Sequence, residues 1–141
     1  MMDPEDYHRI LTELADFRDL DTSTIASIRS SLVELKDRRE QLLEIRKNLK
    51  RDIRGVERYY LERMAEVRND VEELREGSSR LKRIISGNPA TAQARAMKQL
   101  KMNREALVET YRDLLEYTEE LTEHIEDLMI ELYEEMKGFL G

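Results

Sequence analysis

The chain has 141 residues, a length typical of a single domain; 39% are charged and 6% aromatic, with two prolines, five glycines and no tryptophan, the composition of long solvated helices rather than of a sheet-containing globule. A net charge of −7 opposes nonspecific attraction to DNA or anionic lipid, so direct nucleic-acid binding is disfavoured. The absence of cysteine excludes disulfides, thiolate metal sites and a cysteine nucleophile.

The opening Met1-Met2-Asp3-Pro4-Glu5-Asp6 is acidic and has no apolar core, unlike a secretory signal, and no apolar run reaches membrane-spanning length. A soluble cytoplasmic protein without membrane contact is the expectation. Asp3 as N-cap, Pro4 at the first helical position and two acids in the first turn start a helix over about 4–18. Its apolar face is Tyr7, Ile10, Leu11, Leu14 and Phe17. Asp19-Leu20-Asp21-Thr22-Ser23 has turn and cap chemistry, and a second helix is predicted from about 24 to 85.

With Ile25 at heptad position a, the a and d positions of the second helix are mostly apolar up to Val56. Beyond it the stripe continues only by stepping four residues twice, from Val56 to Tyr60 to Met64 and on to Val67, a stutter beside Gly55. A bend is expected near Gly77. Ser86-Gly87-Asn88-Pro89 reads as a turn, with Pro89 opening a third helix over about 90–139. Its stripe includes Leu107, Tyr111, Leu114, Leu121 and Ile125, widened on one flank by Val108, Leu115 and Met129, which implies more than one neighbouring helix.

The fold class expected is therefore all-α: a short N-terminal helix plus a long antiparallel helical hairpin of coiled-coil type, forming one elongated domain. A turn at 86–89 makes residues face each other when their numbers sum to about 175. Residues 36–58 carry nine basic side chains and five acidic ones, and their partners in that register, 117–139, carry eight acids and one base. The arms are thus electrostatically complementary. The first helix is expected at the open end, against residues 25–42 and 125–140, completing a three-helix bundle there.

Chemistry-bearing patterns are few. His124 has Glu120 and Asp127 at helical spacing, but a di-iron bundle needs a Glu-x-x-His pair on two helices, and residue 121 is Leu. Carboxylate pairs such as Glu134-Glu135 read as solvated helix face rather than a shielded acid and base. No phosphate-cradling glycine loop or catalytic triad pattern is present, so no catalytic residue, cofactor or metal is expected. Arg39, Arg46 and Arg104 fall at core-type positions. Each either forms a register-setting polar layer or extends its charged head to solvent along an aliphatic stem. Leu107, Tyr111, Leu114, Leu115, Leu121 and Met129 are the candidate interface, an exposed apolar column for a second copy or another subunit.

Val56-Glu57-Arg58-Tyr59-Tyr60 with Ala65 to Leu74, Arg80-Leu81-Lys82-Arg83-Ile84-Ile85, and Asn103 to Tyr117, together with Tyr7-His8-Arg9-Ile10-Leu11, resemble the helical domain of archaeal GINS replication-complex subunits. The resemblance implies a non-catalytic accessory role in DNA replication, joining a replicative helicase to other fork proteins. The small β-rich domain usual in that family has no strand-like counterpart here. The alternative expectation is a homo-oligomeric coiled-coil spacer or tether.

Overall fold

The computed structural model describes residues 1–77 and 89–141. It is all-helical over them, with α1 at Pro4–Leu14, α2 at Ile25–Gly77 and α3 at Pro89–Leu140. The expected bend near Gly77, the end of the second helix near 85 and the turn at 86–88 lie at or outside the limit of the described residues. By its packing the chain divides into two compact units, Met1–Asp52 with Tyr111–Gly141 and Ile53–Thr110. The length predicts one domain.

Asp3 caps α1 as expected, its Oδ1 accepting from the Glu5 amide at 3.1 Å. The helix stops at Leu14, short of the expected Arg18, because Asp16 turns its side chain onto the backbone. Its Oδ1 accepts from the Arg18 amide at 3.1 Å, a local alternative to continued helix. Thr24 then starts α2 through a reciprocal cap. The Ser27 amide donates to Thr24 Oγ1 at 3.0 Å, and the Thr24 amide donates to Ser27 Oγ at 2.9 Å.

In the first unit, α2 and α3 pack antiparallel and α1 lies against both. The d column of α2, Ile28, Leu35, Leu42 and Leu49, is wholly buried. On α3 the column Tyr111, Thr118, Ile125 and Leu132 is buried in the same way, and Thr118 satisfies its hydroxyl by donating to the Leu114 carbonyl at 2.7 Å. In the second unit, Val56, Met64 and Val108 are buried and Tyr60 and Val67 half-buried, while Arg63 and Asp70 are exposed. The apolar stripe therefore makes the two four-residue steps that the sequence pattern requires.

The register differs from the expectation. Arg39 pairs with Glu126 at 3.0 Å and Arg46 with Glu119 at 3.2 Å, numbers that sum to 165 in both cases. In the second unit Arg104 lies 3.6 Å from Glu57, a sum of 161. Charge complementarity could not detect this shift. In the register of the first unit residues 36–52, with seven basic and four acidic side chains, face 113–129, which carry seven acids and no lysine or arginine.

The position of α1 is also corrected. It runs along the stretch from Arg38 to Asp52 and beside Tyr111, which overlaps the expected 25–42 only from Arg38 onward, because its polar anchors on α2 are Arg38 and Asp52.

A Cβ added at Gly55 meets nothing within 4 Å, so the glycine contributes only backbone entropy to the unfolded chain. Gly55→Ala is expected to stabilise the protein by about 0.5–1 kcal/mol, read as a higher midpoint in urea unfolding.

Candidate interaction surface

The sides of the first unit can be followed as columns of α2 at seven-residue spacing. Ser31, Arg38, Ile45 and Asp52 form one such column, and all four are buried. The α1 helix and the linker after it cover this side. Ser31 Oγ donates to the Asp21 carbonyl at 2.7 Å. Arg38, with 8% of its side chain exposed, donates from Nη1 to the carbonyl oxygens of Asp16 at 2.5 Å and Leu14 at 3.4 Å, and from Nε to Glu34 at 2.9 Å. Its guanidinium also lies 5.6 Å from the centre of the Phe17 ring. A buried guanidinium must be satisfied on several sides, and here it serves as the C-terminal cap of α1.

At the other end of α1 the Tyr7 hydroxyl donates to the buried Asp52 carboxylate at 2.5 Å. Arg51 stands 3.4 Å from the second carboxylate oxygen. The Tyr7 ring meets Tyr111 edge to face, at 6.3 Å between centroids, and the Tyr111 hydroxyl donates to the Met2 carbonyl at 2.7 Å. Burial raises the Tyr7 phenol well above its ordinary value, and the hydrogen bond to Asp52 and the charge of that carboxylate add to the effect. Tyr111 is raised chiefly by burial as well, with the Asp52 charge second. In the linker, hydrogen bonds from the Arg18 side chain and amide hold the Asp16 carboxyl well below the usual carboxylate range. The Ser23 amide lowers Asp21 likewise.

Three of the six candidate interface residues are not available on the surface. Tyr111, Leu114 and Leu121 are buried in the core of the first unit, because α1 supplies the extra neighbour that the wide stripe demanded. Leu107, Leu115 and Met129 remain half-exposed, the first in the second unit and the other two in the first. Arg39, Arg46 and Arg104 each combine the two sequence readings. Their side chains stay about two-fifths exposed, yet each reaches a carboxylate on the opposite arm. Nε of Arg104 is buried and makes no hydrogen bond.

Arg38 and Asp52 were not legible as site residues. They sit in a column flanking the apolar stripe, and a charge there reads as solvated face unless a third helix is known to cover it.

The exposed apolar side chains of the first unit concentrate towards the end of α3, where Ile130, Tyr133, Phe139 and Leu140 are between 47% and 67% exposed. His124 is exposed and lies against Phe17, with 5.5 Å between ring centroids. Among the described residues no group of three or more potential metal ligands occurs, and no helix is long and apolar enough to cross a membrane. Comparison of the chain with family models, curated proteins and solved structures finds no match.

Tyr7→Phe removes the partner of a buried carboxylate and is expected to cost about 1–3 kcal/mol in urea unfolding. The folded-state shift of Tyr7 is upward, so its contribution is complete below the unfolded phenol value of about 10 and is lost as pH rises above it. Unfolding series across that range are expected to show an alkaline loss of stability that is smaller in Tyr7→Phe.

Proposed function

We propose that the chain is a non-enzymatic protein–protein interaction subunit or scaffold of the cytoplasm. The observation that carries this reading is the set of apolar side chains left exposed on the last three turns of α3 away from its core column, Ile130, Tyr133 and Leu140, beside the half-exposed Leu115 and Met129. A helix that has already buried one column in its own core, and still presents large apolar groups on another side, has the anatomy of a docking element. A GINS-like accessory role in DNA replication is the most specific form of this reading, and it rests on the resemblance of the helical segments alone.

The second reading is a homo-oligomeric coiled-coil spacer or tether. The division of charge between the basic stretch 36–58 of α2 and an acidic α3 favours it, since such segments complement one another between copies as well as within one.

Affinity capture of the tagged chain from its native cells, with mass spectrometry of what co-purifies, separates the two. Helicase and fork proteins in the eluate are expected for the first; recovery of the chain alone supports the spacer. Tyr133→Glu with Leu140→Glu is expected to lower capture of any partner on this surface by on the order of tenfold or more while leaving helix content unchanged. By contrast, Leu114→Glu buries a charge in the core and is expected to lower the melting temperature. Equal capture by the exposed double variant and the native chain would rule this surface out.

A further inference from the structure

The first unit has a covered side and an uncovered one. The column Ser31, Arg38, Ile45 and Asp52 meets α1 and its linker. Across the buried spine of α2 lies a second column at the same spacing, Arg29, Lys36, Leu43 and Lys50, and all four are exposed. Arg39 and Arg46 stand between this column and the spine, and they lead across to Glu126 and Glu119 on α3. The uncovered face therefore has a basic edge on α2 and an acidic edge on α3. Between them run the half-exposed Leu115, Thr122, Met129 and Met136, with the exposed Tyr133 and Leu140 towards the open end.

We propose that this face binds a second copy of the chain, with the two-fold axis along the helices, so that α2 of each copy lies on α3 of the other. This rests on the reading of the chain as an interaction protein, and charge decides between the two possible symmetric arrangements. With the axis across the helices, α2 lies on α2, and Lys36 and Lys50 meet the same cations while carboxylates meet carboxylates. With the axis along the helices, every residue keeps its height, and the 165 register puts Lys36, Leu43 and Lys50 level with Met129, Thr122 and Leu115 of the other copy. Lys36 and Lys50 then stand within about one helical turn of Glu126 and Glu119 of the other copy along both seams, every neighbouring pair of helices is antiparallel, and the two half-exposed columns of Leu115, Thr122, Met129 and Met136 close on each other. The result is a four-helix core with one α1 on each outer side, a closed isologous assembly.

The full chain is expected to scatter light at twice the single-chain mass. Lys36→Glu with Lys50→Glu, two exposed changes that leave the intrachain pairs in place, is expected to raise the dissociation constant by on the order of tenfold with helix content retained. The chain contains no cysteine, so geometry can be read by cross-linking. Leu43→Cys mixed with Thr122→Cys is expected to oxidise mainly to the mixed dimer. A monomer at every concentration, or preferential joining of Leu43→Cys to itself, would overturn the proposal. A monomeric chain that still captures other proteins in the affinity experiment would sink the second copy alone and leave the broader reading of function standing.

Discussion

Ile28, Leu35, Leu42 and Leu49 recur every seven residues on α2, and none of them retains contact with water. Each contributes on the order of 1.5–3 kcal/mol when buried, which no solvated single helix can realise. The column of α3 that meets this spine, from Tyr111 to Leu132, is set by that demand. The remaining features of the first unit are consequences of which side of the spine is then covered.

Covering one side falls to α1, and it does so with polar anchors as well as apolar ones. Tyr7, Leu11 and Leu14 supply the buried apolar face. Direction and position come from two groups fourteen residues apart on α2, Arg38 taking the carbonyls at the end of α1 and Asp52 taking the Tyr7 hydroxyl near its start. Apolar burial alone tolerates a helix sliding by a turn. Buried hydrogen-bonding groups do not, because a displaced partner leaves a desolvated charge. The same short helix thereby leaves the opposite side of the spine, with its basic and acidic edges, open to solvent.

Charge divided between the arms is compatible with more than one register. Basic residues spread along α2 and acids spread along α3 attract each other at a shift of ten residues as well as at none. The pairs Arg39 with Glu126 and Arg46 with Glu119 show which alignment is adopted. Screened pairs of this kind, two-fifths exposed, are individually weak. The apolar columns that interdigitate at fixed heights carry the larger share of the discrimination.

The helical class, the three helices, the Asp3 cap, the start of α2 near Thr24 and the four-residue steps beyond Val56 were all legible in the sequence. These features depend on residues close in the chain, through propensity, capping and the period of the apolar stripe. The register of the arms, the place of α1, the burial of Tyr111, Leu114 and Leu121, and the roles of Arg38 and Asp52 were decided only in three dimensions. A column of mixed Ser, Arg, Ile and Asp has no apolar period to betray it, and whether it is core or surface depends on a helix that arrives from elsewhere in the chain.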